Sequence, residues 1–434
     1  MRDTKANILR EGFEEFQKFI NPLIAQRAKL AAEPIHVVRA QNGVLLDQEG
    51  REYEDFHGTQ MLGHRNKAVA DAIRDFLDSD APNWFPSRVN PWAGRLARRL
   101  CERTGYSNAF FALSGGDAVD AAIKLARAAT GRPRIICLEG AYHGCTYGAV
   151  SLMHDGPLRD PFAPHLPGAE KIPFGDIEAL ARALATEDVC AVVVEPIQGE
   201  GGVRALPKNF IDALCELTAK HGALLVSDEV QTALGRSGHF LASETWPRRP
   251  DVALIAKTLG GGLMPISAML TRHDIFDRAY GRNFYVGESH NSTFSYNGLS
   301  CVAALTTLDL ITDELIADVA ERGAAFKALL GKELSGNPYF EEVRGAGFML
   351  GVKLLQPDHP WLSFEYFGWP ELNDHPTIGP LLCYRLYRRG FIAYCCGHNW
   401  SILRLQPRFN IETEKLNTFA KIIREELDQL CKLA

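Results

Sequence analysis

Three apolar runs in this chain end on an ionisable residue: "AVVVE" on Glu195, "ALLVSD" on Asp228 and "VALIAK" on Lys257. The intervals of 33 and 29 residues each suit one strand, one crossover helix and the return to the next strand. With crossovers of the usual right hand, the strands lie parallel in one sheet and their ends meet at a single carboxyl edge, where open α/β folds place ligands. One charged group at a strand end is an ordinary solvated cap. Two acids and a lysine at successive strand ends, with Gly260, Gly261 and Gly262 close behind the lysine, describe a site.

The wider pattern agrees. From about residue 105 to 310, β-branched runs such as "RIICLEG", "VCAVVVEP", "ALLVSDEV" and "DVALIAK" alternate with helical periodicity, as in "FIDALCELTAKHG". This predicts an α/β domain with a mostly parallel sheet flanked by helices. Beyond it the character changes. "FMLGVKLL" and "WSILRLQPRF" read as strands between the helices "GPLLCYRLYRRG" and "EKLNTFAKIIREEL". The expected organisation is an N-terminal segment over residues 1–60, with a helix and a hairpin at "GVLLDQEGREYEDF", packing with the small domain. A large ligand-binding domain over 61–325 and a small α+β domain over 326–434 follow.

A composition of 46% hydrophobic and 23% charged residues is ample for such cores. The net charge of −6, with both signs interspersed, gives no reason to expect nucleic acid or an anionic membrane as partner. No apolar run approaches the roughly 18 residues of a membrane span, and the N-terminus lacks a signal-peptide core. Ten cysteines without a CxxC spacing fit reduced thiols. A cytoplasmic protein acting on small molecules, with no metal, is expected.

Ser114-Gly115-Gly116 precedes a helix whose Ala118, Ala121, Ala122, Leu125, Ala126 and Ala129 share a narrow apolar face, with Asp117 in its first turn. Free N–H groups at such a terminus favour a phosphate; a plain strand-to-helix turn is the alternative. The pattern is neither GxGxxG nor GxxxxGK[ST], so a small phosphate ester fits better than a dinucleotide or a nucleoside triphosphate. Lysine, carboxylate and phosphate cradle together are what pyridoxal phosphate requires. The lysine forms a Schiff base, the acid keeps the pyridine nitrogen protonated, and the helix terminus anchors the phosphate. An ordinary lysine, near pKa ~10.4, is about three units too basic at neutral pH, so the neutral amine must be favoured by roughly 4–5 kcal/mol. Desolvation and the cationic ring supply this.

"VEPIQGEGGV", "SDEVQTALGRSG", "PDVALIAKTLGGG" and "HNSTF" follow one another in an order and spacing that resemble the class III aminotransferases. These are fold type I pyridoxal phosphate enzymes that include the acetylornithine, ornithine and 4-aminobutyrate aminotransferases. The resemblance runs from "LLDQEGREYEDFHGTQMLGHRN" to "ILRLQPRFNI". It implies that Lys257 is the Schiff-base lysine and proton shuttle, that Asp228 pairs with the pyridine nitrogen beside Glu195, and that Ser114, Gly115 and Gly116 hold the phosphate. Val230 and Tyr142 would pack on the two ring faces, His143 would lie alongside, and Gln231 would reach the phenolic oxygen. Thr293 would contact the cofactor phosphate of a partner subunit, which implies a homodimer with shared active sites. Arg404 matches a carboxylate-binding arginine, and Glu200 a glutamate that pairs with it when no α-carboxylate is present. Together they imply an ω-amine in one half-reaction and an α-amino or α-keto acid in the other.

Some positions depart from the family pattern. Gly116 and Asp117 stand where the phosphate turn usually carries Ser or Thr and then Glu, so one hydroxyl contact is missing. Ser295-Tyr296-Asn297-Gly298 replaces the usual Gly-Gly-Asn-Pro, Tyr296 bringing bulk near the dimer-facing part of the site. The aromatic stretches 83–88, "NWFPSR", and 359–376, "HPWLSFEYFGWPELNDHP", follow no assigned pattern. The expected activity is ping-pong transfer of an amino group between an amine or amino acid and a keto acid or aldehyde. A racemase, epimerase or aminomutase on the same scaffold is the rival, and only the aminotransferase consumes an amino acceptor. A non-enzymatic pyridoxal-binding protein would tolerate loss of Lys257, and a nicotinamide dehydrogenase lacks its glycine fingerprint here.

Overall fold

The computed structural model describes residues 2–28, 37–41 and 43–433. The chain forms two compact units, one of residues 67–320 and the other of residues 1–66 together with 321–434.

The first unit is built on seven strands: β1 (Asn108–Ala112), β2 (Arg134–Leu138), β3 (Ala169–Ile172), β4 (Val189–Val194), β5 (Leu224–Asp228), β6 (Val252–Ile255) and β7 (Ser267–Thr271). Their order across the sheet is β1-β7-β6-β5-β4-β2-β3. Strands β2 to β6 pair in parallel, and β7 runs against both its neighbours, β1 and β6. Every residue of β4, β5 and β6 is buried, because helices cover both faces of a parallel sheet. Alternation along β4 divides the core. Ala191 and Val193 pack beneath α1 (Gly115–Thr130), whereas Val192 and Val194 face α2 (Ile177–Leu184) and α3 (Lys208–His221). The small residues on the inner face of α1 bring its axis close to the sheet. Gly131, at φ 71°, ends that helix in the left-handed conformation. Strands β1, β3 and β7, "NAFFA", "AEKI" and "SAMLT", were not singled out by the sequence pattern.

The topology opens the site. From β2 the chain moves outward to β3, then returns to β4 on the other side of β2 and continues through β5 to β6. The loops after β2 and β4 therefore leave in opposite directions and part at the carboxyl edge.

In the second unit, Val44–Asp47 and Glu52–Asp55 form an antiparallel hairpin, and Phe391–Ile392 pairs in parallel with its second strand. A separate antiparallel sheet joins Phe340–Ala346, Met349–Leu354, Asn399–Leu405 and Tyr394–Cys396. The stretch 359–376 folds back on itself: Leu362 and Phe364 are buried, and His375 stacks on Trp400 with ring centroids 4.3 Å apart. Trp361 and Tyr366 remain exposed.

A buried ion cluster ties the hairpin to the C-terminal segment. Arg408 reaches both oxygens of Glu54 at 3.1 Å, and the Lys415 amine donates to Glu54 Oε1 at 2.6 Å. Arg408 and Glu54 are 6% and 4% exposed. Removing one partner of such a pair strands the other charge, so Glu54→Ala is expected to destabilise the protein by about 3–5 kcal/mol. Chemical denaturation of this variant beside Val38→Ala, a half-buried edge position, checks this. A loss no greater than that of Val38→Ala would contradict it.

Candidate active site

A cavity of about 480 Å³ lies within the first unit at the carboxyl edge of β2, β4, β5 and β6. Its walls carry Ser114, Gly115 and Gly116 from the start of α1, and Tyr142 and His143 from the loop after β2. Glu195 stands just past β4, Asp228 ends β5 with Val230 and Gln231 behind it, and Lys257 follows β6. The three strand-end residues are thus brought to one place.

Local chemistry fixes each group. Ser114 caps α1 by accepting from the Asp117 N–H at 3.2 Å, and Asp117 returns a bond to the Ser114 N–H at 3.0 Å. The hydroxyl and carboxylate are engaged in the cap, and Ser114, Gly115 and Gly116 at the helix start line the cavity. A Cβ on Gly115 would sit 3.0 Å from Val230 Cγ1, so a side chain there would crowd the wall.

Asp228 Oδ2 lies 2.7 Å from His143 Nδ1, and its Oδ1 accepts from the Val230 N–H at 3.1 Å. The adjacent acid turns away. Glu229 accepts from the Ala242 and Ser243 N–H groups at 3.0 and 2.8 Å, and its carboxyl is also bonded to the hydroxyls of Ser227 and Thr232. Glu229 thus serves the architecture, and Asp228 is left facing the cavity. Glu195 accepts from the Tyr142 and Gly199 N–H groups, both at 3.0 Å. Lys257 holds φ at 48°, a left-handed conformation costly for any residue with a Cβ.

Burial pushes the Glu195 carboxyl up from an ordinary 4.5 to about 7; Asp228 adds to the rise, while His143 and the two backbone donors oppose it. Burial would drive His143 down, but the Asp228 carboxylate outweighs it and holds the imidazole above its ordinary range. The dry end of the cavity therefore gathers two acids around one histidine, a field that favours a cationic ring. His143 Nε2 is buried without a hydrogen-bond partner.

The linkage has a definite sign. A carboxyl with raised proton affinity in the fold stabilises it below the unfolded pKa and loses that contribution as pH rises through the folded value. For Glu195, between an ordinary 4.5 and about 7, the loss corresponds to about 3 kcal/mol. In cofactor-free protein the unfolding free energy is expected to fall across this window, and Glu195→Gln is expected to flatten the slope. Denaturant titrations at half-unit pH steps would expose an unchanged slope.

Thr293 does not line this cavity. It lies with Ser292, Trp84, Phe85, Arg88 and Tyr296 along a narrow cleft elsewhere in the same unit. The Tyr296 ring packs edge-on against Phe110 and Phe111. Glu200 belongs to the first unit, and Arg404 is buried on Asn399–Leu405 of the second. Gly144, Cys145, Thr146 and Ala256 also line the cavity and were not singled out by sequence reading. The signal was adjacency: Gly144 closes "GAYHG", Cys145 and Thr146 follow it, and Ala256 precedes Lys257.

The sequence profile described as aminotransferase class III matches residues 25–427. The chain belongs to the class III aminotransferases. This aminotransferase is 36% identical to aminotransferase PigE of a Serratia species over 96% of its own length and 53% of that protein, so it spans about half of this relative. It is also 36% identical to an acetylornithine aminotransferase of Methanopyrus kandleri, over 74% of the chain and 81% of the relative. Its structure resembles the ornithine aminotransferase of Toxoplasma gondii, with a TM-score of 0.83 at 26% identity over 98% and 96% of the two chains. An acetylornithine aminotransferase of Elizabethkingia anophelis gives 0.75 at 29% identity over 91% and 94%.

The aminotransferase thus has the fold type I architecture and uses pyridoxal phosphate to move amino groups between small amino donors and keto acids. The residues in the cavity fit that cofactor: a helix terminus for a phosphate, buried acids for a cationic ring nitrogen, and a lysine for an aldehyde. These relatives are named for transamination, which leaves the racemase and aminomutase alternatives without support. Among the described residues, no helix is long and apolar enough to cross a membrane.

Proposed function

We propose that Lys257 is the group through which this aminotransferase binds its cofactor aldehyde and moves the proton of the reaction. The observation that carries the proposal is the convergence of Lys257, the Asp228–His143 pair and the start of α1 on one cavity. Pyridoxal phosphate, when bound, supplies an electron-accepting ring that stabilises negative charge at the substrate carbon. The chain's own residues do the rest. Asp228, oriented by the Val230 N–H and by His143, holds a proton on the ring nitrogen. Lys257 Nζ would be the amine that holds and moves the proton of the reaction. Val230 and Tyr142 would confine the ring, Gln231 would donate to its phenolic oxygen, and Glu195 would add to the negative field. The N–H groups of Gly115 and Gly116, with Ser114 shaping the turn, bind the phosphate.

For substrate, we propose that Arg404 receives a carboxylate and that Glu200 competes for this arginine, so that an ω-amine is the donor and an α-keto acid the acceptor. We further propose a cytoplasmic homodimer in which Thr293 serves the partner's cofactor. The resemblance and ten free cysteines support this reading.

The test is a half-reaction. Holoenzyme is mixed with ω-amines, diamines or α-amino acids without an acceptor, and the carbonyl product is counted per active site. One equivalent from an ω-amine, with further turnover only after a keto acid is added, is the expected result. Exchange of an amino acid's α-proton without any carbonyl product would sink it in favour of isomerisation. Glu200→Ala is expected to shift preference toward α-amino donors by about tenfold or more, as an arginine relieved of its carboxylate partner becomes available.

A further inference from the structure

Two thiols meet within the second unit. Cys383, on the helix Ile378–Arg388, and Cys395, on the strand Tyr394–Cys396, place their sulfurs 3.8 Å apart. Gly379 makes the meeting possible. It lies one helical turn before Cys383 on the same face, and a Cβ there would overlap the Trp400 carbonyl oxygen and stand 2.6 Å from Cys395 Sγ. With no side chain at 379 the helix settles onto the strands, and Cys395 Sγ is held against the face that carries Gly379 and Cys383.

The pair can be reached by a small oxidant. Among the described residues, a cavity of about 300 Å³ is lined by both cysteines together with Arg27, Tyr394 and Trp400. Cys383 is buried and Cys395 half-buried. The hydrogen bond with Cys383 and then burial hold the Cys395 thiol above its ordinary range, while the Arg404 and Arg27 cations favour its thiolate. Attack by this sulfur is therefore slow at neutral pH and quickens as pH rises. What the pair governs follows from the strand register. Tyr394 stands opposite Arg404, and Cys395 opposite Leu403, so Cys395 lies one residue from the strand position that faces Arg404.

We infer that Cys383 and Cys395 are a modification site at which a hydroperoxide forms an intramolecular disulfide, and that this bond displaces Arg404 and weakens the hold on the keto-acid acceptor. The thiolate of Cys395, the half-buried member, attacks the peroxide. The O–O bond breaks, leaving a sulfenic acid on Cys395 and, after protonation, water. Cys383 then attacks the oxidised sulfur, the S–S bond forms, and the departing hydroxide leaves as water with the Cys383 proton. Two electrons pass from the sulfurs to the peroxide. Sulfurs now 3.8 Å apart close to about 2.05 Å in a disulfide, which draws the strand toward the helix and shifts the neighbouring strand through their shared ladder. The effect on the acceptor rests on the reading of Arg404 above, whereas the bond itself does not.

Holoenzyme is treated with hydrogen peroxide and digested without reduction, and its peptides are weighed by mass spectrometry. KM for the keto acid and for the amine donor is measured before oxidation, after it, and after reduction with dithiothreitol. The expected result is a peptide pair linked through Cys383 and Cys395, a KM for the keto acid raised about fivefold or more with that for the amine within about twofold, and recovery on reduction. Cys383→Ser and Cys395→Ser should show neither the link nor the rise. Absence of the linked pair would overturn the inference. So would a rise that persists in both serine variants, which would assign the effect to Cys145, the exposed thiol of the cofactor cavity. A link that leaves KM unchanged would overturn the control of the acceptor. In that event Arg404→Ala separates the causes: a raised keto-acid KM in this variant leaves the role of Arg404 intact, and an unchanged one removes that role as well.

Discussion

Lys257→Ala is expected to lower turnover at least about 10⁴-fold, the upper end of what one positioned acid–base group contributes, because the proposed role has the same amine also engage the aldehyde. Steady-state rates with saturating donor and acceptor test this, and retention of more than a few per cent of activity would refute the role assigned to Lys257. The structure adds a second, opposite effect. Lys257 sits at φ 48°, and left-handed backbone at a residue with a Cβ costs about 1–2 kcal/mol. Strain of this kind collects where geometry serves chemistry. Lys257→Gly should therefore be as inactive as Lys257→Ala yet, measured without cofactor, more stable than that alanine variant by about 1 kcal/mol. A glycine variant less stable than the alanine variant would show that the conformation is not a burden.

The next largest loss is expected at Asp228. Its carboxylate is 4% exposed and bonded to His143 at 2.7 Å, so asparagine keeps the shape and removes the charge. A preorganised charge lost from a water-excluded site costs about 10²–10³-fold in rate, and Asp228→Asn should fall by that factor in kcat. The histidine reports the cause. Asp228 is what holds His143 above its ordinary range against burial, so in the asparagine variant burial prevails and the imidazole titrates below that range. A raised imidazole pKa stabilises the fold below the unfolded value and loses this as pH climbs through the folded one. That alkaline loss should vanish in Asp228→Asn. Imidazole resonances followed by NMR across pH would settle the direction; a His143 still titrating above its ordinary range would refute the pairing.

The central sheet was legible because burial on both faces writes strands such as "AVVVE" and "VALIAK" as unbroken apolar runs, and their polar last residues mark the open edge. Strands β1, β3 and β7 were harder to see. "NAFFA" and "AEKI" lie at the sheet's edges, where pairing on one side relaxes the apolar demand, and "SAMLT" runs antiparallel without a crossover helix to announce it. Within the site, Lys257, Asp228 and Glu195 could be read from spacing alone. Tyr142, His143, Val230 and Gln231 needed the resemblance, since one aromatic or amide in a loop carries no periodicity. Cys145, Thr146 and Ala256 carried adjacency as their only signal, since nothing in their residue types marks a cavity wall.

The pairing of Phe391–Ile392 with Glu52–Asp55 also bears on the order in which the molecule can be made. The cavity is assembled from residues 114–257 within a continuous stretch of chain, whereas the hairpin Val44–Asp55 waits for a strand and for the Arg408 and Lys415 cations, which lie 354 and 361 residues beyond Glu54. On the ribosome, the cavity-bearing unit can fold while the nascent hairpin still presents an unsatisfied edge and a lone buried-to-be carboxylate at Glu54. The interval before residue 391 appears leaves that edge open to mispairing with neighbouring chains, and slow translation of the residues ahead of 391 would lengthen it.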